Sequence, residues 1–300
     1  MNSQIPSILT RSRRRLVVFL IAIALTALAL AMIFSGTTAR GASIYASIPS
    51  LGVIERYDAI TGADLGAFAI HLSSPGGMVF DRAGNLYVNE TGSATIRKIA
   101  PDGTMSVFFT GGAVKGSTAL AIDANGNIYV ANPVTNSILR ITTAGFLNTF
   151  ATVIYPSAMA FDSGGSLFVT NADRNGSITK ITPAGLLSTF SSGIGSPYPM
   201  AIDRDDALLV MSYNSGSLNR ITPGGTLSVV ASNDTFLQST SLILGGAGDV
   251  FFTRNQSAII YRRSSAGPVT VFARGTATAT ALTLGPNPIP EPSVLTLSIA

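Results

Sequence analysis

The chain has 300 residues, of which 46% are hydrophobic and only 11% are charged. This length and apolar content suffice for a substantial core in one domain. Four of the 19 basic residues and none of the 15 acidic ones lie in residues 1–39, so the rest of the chain has no net charge. That balance argues against a nucleic-acid-binding surface. The lack of cysteine excludes disulfides and thiolate metal sites.

The N-terminal segment, residues 1–39, predicts export. Three arginines at 13–15 precede an apolar run at 16–34, and small residues follow at 37–39. A basic flank, an apolar core and a small-residue cleavage site are typical of a secretory signal peptide. The apolar run is also long enough to span a bilayer as a helix, so a retained membrane anchor is the alternative.

Residues 43–285 repeat a unit of four short strands. Each unit reads as an apolar strand, an Asp-x-x-Gly turn, a strand rich in β-branched and aromatic residues, a polar loop, a third strand, a Pro-x-Gly turn and a fourth strand. The anchors at the first turn are spaced by 42, 39, 41, 42 and 40 residues: Asp81, Asp123, Asp162, Asp203, Gly245 and Gly285. Multi-stranded repeats of this period predict an all-β propeller with four-stranded blades.

The turn residues have a simple physical role. Aspartate at the first position can cap the turn backbone, and glycine at the fourth position accepts a left-handed conformation. We therefore interpret the aspartate series as turn caps rather than as an array of calcium ligands.

The two ends of the repeat region complete one blade. Residues 43–46 match the second strand of a unit, and no first strand precedes them. A first strand without a unit of its own follows the last full repeat, at 281–285. The sequence therefore predicts six blades, closed by pairing the stretch around Leu282 with the stretch around Tyr45.

The period and the Asp-x-x-Gly-Asn-(Leu/Ile)-Tyr-Val motif, at 81–88 and 123–130, resemble the NHL-type and SMP-30/gluconolactonase-like six-bladed propellers. The resemblance covers residues 43–285. It implies the fold and, for the gluconolactonase-like members, a divalent cation at the channel mouth that polarises a carbonyl or activates water. An exported metal-dependent lactonase or hydrolase, or a propeller lyase, with calcium or another divalent ion, is therefore an alternative function.

The loops after the second and fourth strands are expected to share one face, which is the default place for a ligand. The ligand candidates on this face are Glu90, Asn132, Tyr155, Asn171, Asp173, Tyr198, Tyr213 and Asn214. Glu90, Asn132, Asn171 and Asp173 could supply oxygen ligands to a cation. The tyrosines could stack on sugar rings.

A structural interpretation competes with the ligand interpretation of the loop asparagines. Asn89, Asn132 and Asn171 recur at what look like equivalent positions, where Asx turns would explain them. His71, the sole histidine, has no carboxylate near it in the sequence and is expected to be an exposed loop residue. We therefore predict no catalytic residue, no metal site and no cofactor.

Residues 286–300 form a proline-rich tail. Pro290, Glu291 and Pro292, followed by a short apolar run, resemble the PEP-CTERM sorting signal of Gram-negative bacteria. The resemblance implies recognition by an exosortase-type enzyme. The family's transmembrane helix and basic cluster are not completed by Ala300, so the signal would be incomplete. A disordered tail without a role is the alternative.

Together these features predict an exported, non-catalytic binding or scaffold propeller, secreted or held at the surface of a Gram-negative bacterium. Its partners would be an exosortase-type processing enzyme and a polysaccharide or a surface protein. Only the terminal segments would contact the membrane.

Overall fold

A computed structural model of the chain describes residues 42–173, 176–246, 248–265 and 267–285. Within them, 24 strands form six four-stranded antiparallel sheets. The predicted six-bladed all-β propeller is confirmed. The predicted signal or anchor helix at 1–39 and the tail at 286–300 lie outside the described residues. Among the described residues, no helix has the length and apolar character needed to cross a membrane.

The blades follow one another along the chain, and in each the innermost strand is called A and the outermost D. Blade 1 holds β24 (Ala281–Leu284), β1 (Ser43–Ile48), β2 (Val53–Asp58) and β3 (Asp64–Ala69). Blade 2 holds β4 (Pro75–Phe80), β5 (Leu86–Glu90), β6 (Thr95–Ile99) and β7 (Met105–Thr110). Blade 3 holds β8 (Ala119–Ile122), β9 (Ile128–Asn132), β10 (Ser137–Ile141) and β11 (Leu147–Thr152).

The second half of the ring repeats the pattern. Blade 4 holds β12 (Pro156–Phe161), β13 (Leu167–Asn171), β14 (Ser177–Ile181) and β15 (Leu187–Ser191). Blade 5 holds β16 (Pro197–Ile202), β17 (Leu208–Ser212), β18 (Ser217–Ile221) and β19 (Leu227–Ser232). Blade 6 holds β20 (Ser239–Leu244), β21 (Val250–Arg254), β22 (Ile259–Arg263) and β23 (Val269–Arg274). Short 3-10 turns occur at Gly112–Val114 and Asp234–Phe236.

The C-terminal strand closes the ring, as the sequence predicts. Strand β24 pairs antiparallel with β1, with Leu282 opposite Ala46 and Thr283 opposite Tyr45. Leu282 is buried in a cluster that also contains Ile44 of blade 1 and Phe251 of blade 6. Blade 1 is therefore built from strands at both ends of the chain.

Aromatic pairs explain why every unit except that of blade 5 has an aromatic residue in strand B and a phenylalanine in strand D. The Tyr87 and Phe108 rings meet edge to face with centroids 5.0 Å apart, and Phe168 and Phe190 repeat this contact at 4.8 Å. Such pairs stabilise a core beyond the area that they bury. The repeated aromatic residues thus contribute to packing within these blades.

The aspartates at the A–B turns cap those turns, which confirms the structural interpretation. Asp81 accepts hydrogen bonds from the backbone N–H groups of Ala83 and Asn85, at 2.9 and 2.8 Å. Blade 6 departs from the pattern because Gly245 stands where blades 2 to 5 have aspartate. There Asp249, four residues later, binds the basic residue of strand C, Arg262, at 2.6 Å.

Candidate functional site

A cavity of about 400 Å³ opens at the centre of the ring, on the face where the A strands begin. Its walls come from all six A strands, together with Pro49 and Thr91 from the B–C side. Two rings of side chains shape it, each with one residue from every blade.

The deeper ring is aliphatic. Its members face equivalent B-strand residues and are only 5–7% exposed: Met78, Leu120, Met159, Met200, Leu242 and Leu282. We call it the aliphatic ring. It gives the cavity an apolar floor.

The upper ring lies two residues before the aliphatic ring along the chain in each blade. We call it the hydroxyl ring because five of its six positions carry a hydroxyl: Gly76, Thr118, Ser157, Tyr198, Thr240 and Thr280. Hydroxyl groups both donate and accept hydrogen bonds. The cavity therefore combines an apolar floor with a neutral polar rim.

The sequence analysis took its ligand candidates from the D–A and B–C loops and therefore missed five members of the hydroxyl ring. Strands β4, β12 and β16 begin three residues before their members of the aliphatic ring, each at a proline, so the hydroxyl-ring positions of these blades belong to the strands. The recurrence of small or hydroxyl-bearing residues two positions before each aliphatic anchor was the signal that would have found it.

Backbone hydrogen bonds join the D–A and B–C loops around the cavity. The residue just before the A strand has a left-handed backbone in four blades: Ser74, Tyr155, Ser196 and Gln238. Its carbonyl accepts a hydrogen bond from a B–C loop N–H in each case: Thr91, Ala172, Tyr213 and Asn255. Non-glycine residues adopt this conformation only when their surroundings fix it. These loops therefore form a defined rim on one face, as predicted.

Two of the tyrosine candidates lie together at the rim. Tyr198 lines the cavity, and its ring centroid is 5.7 Å from that of Tyr213, at an interplanar angle of 54°. Burial, and secondarily the nearby Tyr213, raises the pKa of Tyr198 above its usual value near 10. The Tyr198 hydroxyl therefore stays protonated at neutral pH and can donate a hydrogen bond.

Glu90 is placed where it holds the loop rather than facing the cavity. Its side chain has no exposed surface, and its Oε2 accepts two hydrogen bonds from Arg97, at 3.0 and 2.8 Å. Its Oε1 accepts the Ser73 N–H at 3.0 Å. Both carboxylate oxygens already have partners within the protein.

The amide and carboxylate candidates of blades 3 and 4 also bind their own loops. Asn132 Oδ1 accepts the N–H groups of Val134 and Thr135, which is the expected Asx turn. Asn171 Oδ1 instead accepts the hydroxyl of Thr179 at 3.1 Å, and among the described residues no backbone N–H completes the Asx turn expected there. Asp173 Oδ1 accepts the Gly176 N–H at 2.8 Å.

The expected equivalence of Asn89 with Asn132 and Asn171 is also wrong. Strands β5, β9 and β13 end at Glu90, Asn132 and Asn171, and these three residues share one register position. Asn89 lies one residue earlier. Because a shift of one residue turns a strand side chain to the opposite face of the sheet, Asn89 has a different environment.

The remaining candidates lie outside the lining of the cavity. Tyr155 is 54% exposed, and Asn214 donates from Nδ2 to Ser196 Oγ at 2.9 Å on the exposed loop. His71 is exposed in a left-handed conformation. Within the described ranges, no three His, Cys, Asp or Glu side chains form a group that could hold a metal ion. The sorting residues Pro290, Glu291 and Pro292 lie beyond the described part of the chain.

Comparison with protein families identifies the relationship. A family model described as the virginiamycin B lyase family matches residues 37–287. The chain belongs to this family. A comparison with curated protein sequences gives no significant match.

Solved structures of low sequence identity share the fold. A catalytically inactive histidine-to-alanine variant of virginiamycin B lyase from Staphylococcus aureus, with quinupristin, is 19% identical, with a TM-score of 0.60, covering 79% of this chain and 86% of that one. A gluconolactonase from Xanthomonas campestris is 14% identical, with a TM-score of 0.63, covering 82% and 95%. A chain of a nidogen/laminin complex is 15% identical, with a TM-score of 0.73, covering 83% and 100%. The gluconolactonase-like resemblance therefore extends to the fold.

Proposed function

We propose that this member of the virginiamycin B lyase family is a non-catalytic binding protein that holds a neutral carbohydrate in the channel mouth. The observation that carries the proposal is the pair of rings that line the cavity. A sugar ring has apolar C–H faces and a periphery of hydroxyl groups. The aliphatic ring suits the first and the hydroxyl ring suits the second, because hydroxyls can donate to or accept from a sugar hydroxyl.

The chemistry of the lining supports binding rather than proton transfer. Among the described residues that line the cavity, Tyr198 is the one titratable side chain, and burial favours its neutral form. General acid–base catalysis near neutral pH requires a group whose pKa lies near the operating pH. The nearest buried carboxylate of the loop set, Glu90, is bound to Arg97.

The cellular setting is proposed from the terminal segments. The basic flank and apolar run in residues 1–39 support export, and Pro290, Glu291 and Pro292 support handling by an exosortase-type enzyme. A protein exported in this way meets the polysaccharides of its own cell surface. We therefore propose matrix polysaccharide as the natural source of the sugar.

Family membership favours a second candidate, a lyase. The relative from Staphylococcus aureus is inactive when one histidine is replaced by alanine. In the present chain the single histidine, His71, is exposed and does not belong to the cavity lining. Incubation of the full chain with quinupristin and a divalent cation, followed by liquid chromatography and tandem mass spectrometry, separates the two functions, because a ring opened by elimination keeps the mass of its parent and differs in retention and fragmentation. A linearised product would overturn the non-catalytic proposal.

The binding proposal is tested by calorimetric titration of the full chain with neutral trisaccharides, namely maltotriose, cellotriose and mannotriose. We expect the wild type to bind at least one of them. Tyr198→Ala should abolish this binding because it removes a wall of the cavity, whereas Tyr155→Ala, a matched change on the exposed rim, should leave it intact. Absence of binding to all three, or equal loss in both variants, would refute the proposal.

A further inference from the structure

A second cavity, of about 510 Å³, lies between blades 5 and 6, on the face where the A strands end. This face is opposite to the channel mouth. Strands and A–B turns of both blades line the cavity, together with Leu284 of β24. A volume of this size accommodates a small organic molecule. We call this cavity the blade 5–6 cleft.

The preceding blades show what usually fills this place. There the aromatic residue of strand B, which packs on the phenylalanine of strand D, shares a core cluster with an isoleucine at the end of strand C in the next blade. Those isoleucines have no exposed surface. The clusters contain Tyr87 with Ile141, Tyr129 with Ile181, and Phe168 with Ile221. Three successive boundaries between blades are therefore filled by an aromatic pair and an isoleucine.

Blade 5 lacks both aromatic residues on the side that faces blade 6. Leu209 has in β17 the register position that Tyr87 has in β5. Val230 lies at the bulge of β19, as Phe108 lies at the bulge of β7. Leu209 and Val230 both line the cleft. Because each is smaller than a ring, the space that the other blades fill with aromatic side chains is left open here.

Blade 6 differs from the other blades at the facing positions. Arg263 of β22 has the register position of Ile221 in β18, opposite the first residue of strand B. An arginine therefore stands where blades 2 to 5 have a buried isoleucine, and Gly245 stands where they have aspartate. The aspartate of this turn, Asp249, binds Arg262 and does not line the cleft. Both changes make the cleft more positive.

The lining of the cleft has an excess of positive charge. Its charged members are Arg204, Arg220, Arg263 and Asp203. Arg220 Nη2 binds Asp203 Oδ2 at 3.0 Å, so these two charges balance each other. The other acids of the same turn do not line the cleft, since Asp205 is exposed outside it and Asp206 accepts two hydrogen bonds from Ser163 of blade 4. Arg204 and Arg263 account for the excess.

These two arginines have hydrogen-bond donors available at the cleft. Arg204 Nη2 donates to the Gly246 carbonyl at 3.4 Å, and Arg263 Nη1 donates to the Ser265 carbonyl at 3.3 Å. Gly246 and Ser265 also line the cleft, so both guanidinium groups lie beside it. Neither arginine forms an ion pair with a residue that the structure describes. The planar guanidinium group matches the geometry of a carboxylate.

We propose that the blade 5–6 cleft is a second binding site, which takes a small aromatic carboxylate. The ring of the ligand occupies the space of the missing aromatic pair, against Leu209, Val230 and Leu244. Its carboxylate is bound by Arg263 and Arg204. This site is independent of carbohydrate binding, because the cleft and the channel mouth share no lining residue.

The ligand class is tested by calorimetric titration of the full chain with 3-phenylpropionate. We expect the wild type to bind this acid, and to bind 3-phenylpropionamide and acetate at least about ten-fold more weakly. The amide lacks the charge that the arginines bind, and acetate lacks the ring. Absence of binding to 3-phenylpropionate, or equal affinity for the acid and its amide, would overturn the proposal.

The place of binding is tested by giving the cleft the residues of the other blades. Arg263→Ile should weaken binding of 3-phenylpropionate by about ten-fold or more, because it removes charged hydrogen bonds. The matched control is Arg82→Ile, which removes an exposed arginine from the A–B turn of blade 2 and should leave the affinity unchanged.

The double variant Leu209→Phe with Val230→Phe should abolish binding of 3-phenylpropionate, because the restored aromatic pair fills the cleft. Circular dichroism and the thermal midpoint check that each variant is folded. If the double variant does not fold, Arg263→Ile decides the question, since the other blades already have isoleucine at its position. Wild-type affinity in Arg263→Ile, or equal loss in Arg82→Ile, would refute binding at the cleft while leaving the carbohydrate proposal untouched.

Discussion

Glu90 provides the sharpest test of the distinction between structural and ligand-binding carboxylates. The perturbation is Glu90→Gln, which keeps the shape of the side chain and an acceptor for the Ser73 N–H. It removes the charge that Arg97 contacts through Nε and Nη2 at 3.0 and 2.8 Å. The glutamate side chain is fully buried, whereas that of Arg97 is 26% exposed.

The magnitude follows from this geometry. Breaking a buried ion pair by removing one partner costs about 3–5 kcal/mol, because the other charge is left without compensation. Arg97 still reaches water, so we expect the lower end, about 3 kcal/mol. For a domain of this size that corresponds to a fall in Tm of about 6–12 °C.

The assay is urea denaturation, followed by circular dichroism, with calcium or with a chelator. The control is Lys180→Met, which breaks a partly exposed pair with Asp162 whose atoms are 3.8 Å apart. It should cost less than about 1 kcal/mol. Calcium should shift neither Glu90→Gln nor the wild type. The reasoning is refuted if Glu90→Gln keeps wild-type stability in chelator but loses a calcium-dependent stabilisation that the wild type shows.

Two further predictions concern the closure of the ring and alkaline stability. Leu282→Ala should lower the free energy of unfolding by about 2–4 kcal/mol, because it leaves a cavity between blades 1 and 6. The control is Ile154→Ala at an exposed position, which should change the free energy of unfolding by less than about 0.5 kcal/mol. Equal costs in the two urea titrations would contradict the packing at the closure. Burial raises the pKa of Tyr57, and so does the Glu55 carboxylate that accepts a hydrogen bond from the Tyr57 hydroxyl. Above about pH 10 the tyrosine therefore loses its proton in the unfolded chain but keeps it in the folded protein, and the free energy of unfolding falls. Tyr57→Phe should therefore lose about 1 kcal/mol less than the wild type between about pH 9 and about pH 11, and parallel stability curves would show that Tyr57 does not contribute.

The sequence predicted the architecture well because the repeat carries its own physical explanation. The aspartate caps, the strand aromatics and the unmatched strand around Leu282 are local signals that recur at a fixed spacing. Each of these signals reflects the packing or the turns of a single blade, and most of them recur in several blades. The pairing of the stretch around Leu282 with the first strand was predicted because the N-terminal unit lacks an A strand and the C-terminal stretch is an A strand without a unit.

The site was harder to predict because its features depend on register. The environment of Asn89 follows from a register in which Glu90, and not Asn89, is equivalent to Asn132 and Asn171, and the sequence pattern does not show this register. The engagement of Glu90 by Arg97 joins residues of two strands across a loop, and nothing in their spacing distinguishes this pair from a free carboxylate. Tyr198 was identified as a candidate, but the five small residues that complete its ring were not.

The last strand in the described part of the chain, β24, fills the innermost place of the first blade. Until residue 284 has left the ribosome, the ring of blades cannot close, and the inner edge of β1 has no partner strand. Non-local pairing of this kind forms late in folding. For a chain threaded through a membrane from its N-terminus, as we propose, this arrangement delays closure of the ring until residue 284 has crossed the membrane.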